Sequence, residues 1–336
     1  QCVEQEAPSG QDLVMVSDGV AQAQIIIAPD APSTVQVAAQ ELQYALQQMT
    51  GATLPIRTTL SPSYPNEIFV GESSYTRNLG ITLQGIKDDG FKMITGQDYL
   101  VLIGNDQPYH IHFPSYYPDF ARSKSEWNAA VQSYSEQNLG RSTVYWNHPS
   151  VHYYRHYNNE LDIWDSDGKG SLFAVYEFLY DQGVRYYFPG KLGEVMPDKP
   201  DIVVKQTSRI VNPDYGMRVI EHYNRYYSYV DGEDVKWYLR MRLNGGEGHL
   251  GPLYAHGVNQ LMENHNLQRD HPEYFAIIDG TRRRGEKPLP DYCSQGLIEE
   301  HYHLIDYMFT TYPELPALSV MPVDGFWQIS QSSQAC

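Results

Sequence analysis

Cysteine is scarce in this chain. Three cysteines in 336 residues are too few for a disulfide-dense scaffold, and any single pairing leaves one over. Cys293 with Cys336, or Cys2 with either, are the pairings the count leaves open. Long apolar runs are missing too: none approaches the roughly 18–20 residues of a membrane-crossing helix, so no membrane span is expected. Basic residues are in deficit, 24 Lys and Arg against 41 Asp and Glu, for a formal charge of −17. Such a surface repels phosphate backbones. The one tight basic run, Arg282-Arg283-Arg284 between Gly280 and Gly285, reads as a solvated turn, so nucleic acid is excluded as a partner. Only 19% of residues are charged, which leaves much of the polar surface to Gln, Asn, Ser, Thr and Tyr and suits an extracellular setting or an assembly interface.

Tyrosine, in contrast, is abundant, with 28 residues and clusters at Tyr116-Tyr117, Tyr153-Tyr154, Tyr186-Tyr187 and Tyr226-Tyr227. Tyr offers a flat apolar face with a polar tip, a chemistry that serves both sugar stacking and protein interfaces. The opening Gln1-Cys2 and the polar stretch to Gly10 read as a processed terminus from which a signal sequence has been removed. A secreted or cell-surface bacterial protein is therefore expected.

The pattern of apolar residues predicts an α/β fold. Ile25-Ile26-Ile27 is a β-branched run closed by Ala28-Pro29-Asp30, the mark of a buried strand. Val35, Ala38, Leu42, Ala45, Leu46 and Met49 follow at helical spacing, and Gly51 is placed to cap that helix. Ile68 to Gly71 is a further strand, and 90–95 with 99–103 form a hairpin around Gly96-Gln97-Asp98. Residues 105–165, rich in Tyr, His, Ser, Asn and Pro, read as an irregular insertion, with one short helix near Trp127 to Tyr134. Regular structure resumes with a helix at Ser171 to Gln182 capped by Gly183, a strand at Val184 to Phe188 and a strand at Ile202 to Val204. Strands and helices in this order make a mixed sheet with helices packed on it.

After a linker at Asn212-Pro213 the rhythm changes. Strands are expected at Met217 to Ile220, Tyr274 to Ile278 and Ala317 to Val320, with a helix or extended arm at Glu233 to Arg242 and an amphipathic helix at Leu297 to Tyr312. This resembles the first units of a (β/α) barrel, and a complete barrel needs roughly 250 residues, more than 212–336 supplies. The expected organisation is thus a flexible segment at 1–19, an α/β domain at 20–208 and a partial (β/α) barrel-like domain at 212–336.

Three stretches carry a family resemblance. They are Ala38 to Leu42 running on to Met49-Thr50-Gly51-Ala52-Thr53-Leu54-Pro55-Ile56; Ile68-Phe69-Val70-Gly71-Glu72; and Gly170 to Leu179, continuing through Gly183-Val184-Arg185 to Phe188-Pro189-Gly190 and Gly193-Glu194. Together they resemble the N-terminal domain of α-glucuronidase-like and β-N-acetylhexosaminidase-like glycoside hydrolases over 20–205. Arg240 to Asn244, Gly248-His249, His271-Pro272-Glu273-Tyr274-Phe275 and Ser319-Val320 leading to Asp324-Gly325 resemble a DUF4838 domain. In that pattern several cysteines follow the Asp; here Gln328 to Cys336 holds mostly Ser and Gln with one Cys. The resemblance implies a carbohydrate-active protein whose partner is a glycan or polysaccharide, including one that bears uronic acid.

Glycoside hydrolysis uses two carboxylates flanking the scissile bond, and in a barrel they sit at the C-terminal ends of strands. Asp324, ending Ser319 to Val323, is the first candidate and Glu221, after Met217 to Ile220, the second; the plain alternative for Asp324 is a cap on the following turn. The Gly245-Gly246-Glu247-Gly248-His249 loop has neither the Lys-Ser/Thr of a P-loop nor dinucleotide spacing, so no cofactor is expected. With Arg242, Asn244, His249, Tyr254 and His256 around it, the loop is a candidate sugar-binding surface, Arg being suited to a carboxylate; ordinary structural hydrogen bonding is the competing account. His148, His152 and His156 recur every four residues, yet Pro149 interrupts the helix that would align them and no carboxylate or Cys accompanies them, so no metal is expected. Two functions follow: a glycoside hydrolase, or a non-catalytic glycan-binding or self-assembling extracellular protein, a homo-oligomer or filament, on the same scaffold.

Overall fold

The computed structural model describes residues 2–4, 10–106, 163, 168–216, 218, 233–244, 259–262, 265–285, 288–311, 320 and 330. The chain divides into two compact units, one of 1–109 with 155–247 and the other of 110–154 with 248–336.

The first unit opens with β1 (Cys2–Glu4), β2 (Leu13–Ser17), β3 (Val20–Ala21) and β4 (Ala23–Ile26). Strands β1 and β2 thus fall inside the stretch expected to be a flexible lead-in; β2 is held by Leu13, Met15 and Val16, all buried. Next come α1 (Ser33–Thr50), β5 (Ile56–Arg57), β6 (Asn66–Val70), α2 (Ser74–Asn78), β7 (Phe91–Thr95) and β8 (Tyr99–Gly104). The unit continues with α3 (Gly170–Asp181), β9 (Arg185–Tyr186), β10 (Glu194–Val195), β11 (Ile202–Val204), β12 (Ser208–Val211) and α4 (Glu233–Arg240).

Among the described residues the main sheet runs β1-β12-β7-β8-β6-β4-β5. Strands β5, β4, β6 and β8 are parallel; β8, β7, β12 and β1 are antiparallel. Every residue of β4 is buried, as a strand covered on both faces requires. One face carries α1 and α3, joined in a core that includes Ile25, Leu42, Leu46, Leu102, Phe173 and Leu179. The other face is closed by a smaller cluster of Ile26, Phe69, Ile81, Val101 and Ile103. Helix α1 ends as its sequence dictates: Gly51 takes a left-handed conformation, φ 75°, and donates its N–H to Gln47 O at 2.9 Å. Helix α2 starts with a reciprocal Ser73–Thr76 capping box.

Strand β8 and helix α3 meet at Gly104 and Gly170. Gly170 N–H donates to Asn105 O at 3.1 Å. A Cβ on Gly104 would lie 2.4 Å from the Gly170 backbone, and one on Gly170 would lie 2.4 Å from Asn105 N. Both positions therefore need glycine for close approach. The Val184 to Phe188 strand is shorter than its apolar run suggests, because β9 stops at Tyr186 and Pro189 has no N–H to extend a ladder.

In the second unit, α5 (Asn259–Met262) and α6 (His265–Asp270) lead into a 3-10 turn at Pro272–Tyr274. Then follow the antiparallel pair β13 (Ile277–Ile278) and β14 (Thr281–Arg282), and α7 (Gln295–Thr311). Asp279 and Gly280 between the strands both have positive φ, 50° and 68°, the requirement of a type I′ hairpin. The strand expected from Tyr274 is reduced to Ile277–Ile278 by the turn that Pro272 starts. Cys293 is disulfide-bonded. The strands expected at 217–220 and 317–320, on which the barrel-like expectation rests, lie outside the described residues except for Arg218 and Val320. The chain is a mixed α/β protein. Among its described residues no helix is long and apolar enough to cross a membrane.

Candidate functional site

Of the residues proposed from sequence, Asp324, Glu221, His249, Tyr254 and His256 lie outside the described residues, as do His148, His152 and His156. Arg242 and Asn244 are described, and both turn inward. Asn244 is buried; its amide N–H groups donate to Asp89 Oδ2 at 2.9 Å and Gly216 O at 2.6 Å, and its oxygen accepts from Arg218 N at 2.9 Å. Arg218 also donates from Nη2 to Asp89 Oδ2 at 2.9 Å and from Nε to Arg242 O at 3.0 Å. Arg242 sits at φ 59° and pairs through Nη1 with Glu177 of α3. Both side chains pin the segment after α4 to the sheet domain.

A larger polar centre lies one helical turn back. Arg240, at the end of α4, donates to Glu41 through Nε (2.8 Å) and Nη2 (3.2 Å) and to Glu194 through Nη1 (2.6 Å). Tyr44 donates to Glu194 Oε2 at 2.8 Å and Tyr176 to Glu41 Oε2 at 3.2 Å. The guanidinium lies over the Tyr186 ring, 4.7 Å from its centroid. Two carboxyl groups and one guanidinium are held together here, ringed by three phenols. Burial opposes the charge on Arg240, but Glu41 overrides it and holds the guanidinium above its ordinary pKa. Burial and then the bond to Glu194 push Tyr44 up to about 12. Burial, reinforced by Glu41, raises Tyr176, and burial raises Tyr186 despite the opposing Arg240. None of these groups is poised to exchange protons near neutrality. The cluster clamps α4 onto α1, α3 and the β9–β10 hairpin.

The same clamp sets what that hairpin shows to solvent. Successive residues of a strand point to opposite faces. Tyr186 and Glu194 face each other across the ladder and point inward to Arg240; Trp237 Nε1 adds a bond to Tyr186 O at 3.1 Å. Arg185, Tyr187 and Val195 therefore point outward. Tyr187 is 66% exposed, and Leu192 at the tip is 88% exposed.

A second acid is buried where α3 begins. Asp106 accepts from Ser171 N at 2.8 Å and lies 2.6 Å from the Ser171 hydroxyl, which in turn accepts from Gly104 N at 2.9 Å. Burial outweighs these bonds and, with Asp89 and Glu72 nearby, pushes its carboxyl up to about 7. Among the described residues, no group of three or more His, Cys, Asp and Glu is placed to hold a metal.

Sequence reasoning singled out Arg242 and Asn244 but passed over Arg240, Glu41, Glu194 and Asp106. A usable signal did exist for one of them. Glu41 and Tyr44 are three apart on α1, bordering its apolar stripe, so both belong to a helix face that something must cover.

No curated protein matches this chain. Among solved structures it is similar to a family 115 4-O-methyl-α-glucuronidase with specificity for decorated arabinogalactans, at 16% identity and TM-score 0.39, over 70% of this chain and 25% of that one. It is also similar to the family 20 β-N-acetylhexosaminidase of Streptomyces coelicolor A3(2), at 12% identity and TM-score 0.31, over 63% of this chain and 26% of that one. The chain spans about a quarter of the length of each. Residues 17–108, which carry β4, α1, β6 and the β7–β8 hairpin, match the family described as the glycosyl hydrolase family 67 N-terminus.

Proposed function

We propose that this protein acts on or binds a polysaccharide, and that its α/β unit is the supporting and presenting domain rather than the seat of chemistry. The match of residues 17–108 to a glycosyl hydrolase N-terminus carries the reading. The geometry of the unit supports the division of labour: the buried Asp89 and Asp106 and the part-buried Glu41 and Glu194 are each already bound by protein donors. Hydrolysis needs two carboxylates with access to a sugar, so Asp324 and Glu221, in the second half of the chain, are the proposed pair. Arg242 and Asn244 then act by fixing the segment that leads into the Gly245–His249 loop, with His249, Tyr254 and His256 as the proposed sugar contacts. The disulfide at Cys293 supports export to an oxidising compartment, in keeping with a secreted or surface protein.

The experiment is reducing-sugar release from a polysaccharide and aryl-glycoside panel by the protein and by Asp324→Asn. Release that falls by about a hundredfold or more in the variant, the scale of general acid–base catalysis, supports the enzyme. Equal release by both removes Asp324 from the mechanism. A second reading, a non-catalytic protein that self-assembles or holds glycan, is favoured by the chain's 28 tyrosines. Under it the panel shows no turnover while polysaccharide or the protein itself is bound.

A further inference from the structure

The outward face of the β9–β10 hairpin combines features that the clamp beneath it does not need. Tyr187, Phe188 and Leu192 are exposed large apolar side chains on one short turn, and exposed apolar surface concentrated in one place marks an interaction site. Arg185, sharing the outward face with Tyr187, lies over the exposed Tyr180 ring at 3.5 Å from its centroid and donates from Nη1 to Tyr180 O and Val184 O, which leaves its Nε and Nη2 N–H groups to a ligand. Lys191, also exposed, sits next to Leu192. The aromatic surface is therefore flanked by cations in a chain whose formal charge is −17.

The turn is also stiff. Tyr187 N–H donates to Gly193 O and Gly193 N–H to Gly190 O, at 2.9 and 3.0 Å. Gly190 has φ 81°, and a Cβ at Gly193 would lie 1.9 Å from Phe188 O, so this packing admits only glycine there. Glu194 and Tyr186 are locked from below by Arg240. A rigid, pre-set surface loses little entropy on binding.

We propose that this hairpin is a binding platform for an anionic polysaccharide, a proposal that rests on the glycan reading above. Tyr187 and Phe188 supply faces for sugar rings, Leu192 closes the edge, and Arg185 with Lys191 receive the carboxylates. A protein partner fits less well. A standard interface needs roughly 20–30 residues a side, far more than this turn offers.

The test is affinity electrophoresis of the purified chain in gels containing polygalacturonate, alginate or glucuronoxylan, each beside its carboxyl-reduced counterpart. The chain is expected to be retarded by at least one intact polymer and much less by the reduced form. Tyr187→Ala with Phe188→Ala should weaken that binding by about tenfold or more, on the scale of lost stacking contacts. Lys191→Ala should weaken it less but narrow the difference between intact and reduced polymer. Leu192→Gln, at a position too exposed to disturb folding, should weaken it with an unchanged melting temperature. Retardation that the variants leave intact overturns the platform and spares the glycan reading. Retardation by none of the polymers, intact or reduced, overturns both. Retention that does not distinguish intact from reduced polymer overturns the anionic ligand. Variants that instead turn an oligomer into a monomer in light scattering overturn the platform in favour of contact between copies.

Discussion

Two of the sites where the α/β unit holds acid treat it in opposite ways. At the clamp, Glu41 and Glu194 meet Arg240, which supplies three of its donors to them. At the start of α3, Asp106 meets one hydroxyl and one N–H group, both of Ser171, with no cation paired to it among the described residues, and burial lifts its carboxyl to about 7. At Asp106 hydrogen bonds alone, even at a helix N-terminus, do not offset burial. The clamp is therefore indifferent to pH through the neutral range on the side of its arginine, whereas the Asp106 node senses it.

The largest effect should come from removing the cation. Arg240→Ala leaves two buried carboxylates facing each other and should cost about 3–5 kcal/mol, read as a lowered denaturation midpoint. The triple variant Arg240→Leu, Glu41→Gln, Glu194→Gln should recover much of that loss, because removing both signs of charge together is far milder than stranding one. If Arg240→Ala is silent, the clamp is a surface ion pair and the contrast between the two sites collapses.

Next is the pH response of the other site. Native Asp106 keeps its proton to about pH 7, while the unfolded chain releases it near 3.8. Between those values the unfolded state binds fewer protons than the native one, so stability falls as pH rises, by at most about 1.4 kcal/mol per pH unit for one group. The contribution is whole below 3.8 and gone above 7. Asp106→Asn mimics the protonated acid, with an oxygen for Ser171 N–H and an NH₂ for its hydroxyl. Denaturation from pH 4 to 7.5 should show a flatter slope in the variant. A slope equal to that of the parent assigns the titration to another group.

A backbone test comes third. Gly104→Ala places a methyl 2.4 Å from the Gly170 backbone and should destabilise by about 1–3 kcal/mol, the range of overpacking in a core. Because Gly104 N–H also holds the Ser171 hydroxyl, the same change should alter the Asp106 slope. Arg240→Ala should not.

These two sites also show what a sequence displays and what it hides. The β-branched run at 25–27, the spacing of Val35 to Met49, Gly51 as a cap and the turn at 96–98 are local signals, each complete within a few residues, and the strands and helices they predict are there. The clamp is invisible at that range: Glu41 and Arg240 are 199 residues apart, and Tyr44 and Glu194 are 150 apart. The Tyr186-Tyr187 cluster was legible as a pair, but only the β9–β10 register sends one ring inward and the other out. Arg242 and Asn244 stand out as polar residues beside a glycine-rich loop, whereas Arg240, with three bonds to acids distant in sequence, has no such local mark. Asp324 and Glu221 were argued from strand ends alone, and the α/β unit offers nothing local against which to weigh them.

The smallest change sharpens the comparison most finely. Tyr44→Phe removes one hydroxyl from the clamp and leaves Glu194 held by Arg240. A hydrogen bond to an acceptor that keeps a strong second donor contributes about 0.5–1.5 kcal/mol, and Tyr44 is only partly buried, so the lower end of that range is expected. Coupling gives the reading its edge. In the Arg240→Ala background Tyr44 still donates to Glu194, and removing its hydroxyl should then cost more than in the parent, with a positive interaction energy in the double-mutant cycle. Simple additivity would mean that the tyrosine and the arginine do not share that carboxylate, and that the cluster is two adjacent contacts rather than one clamp.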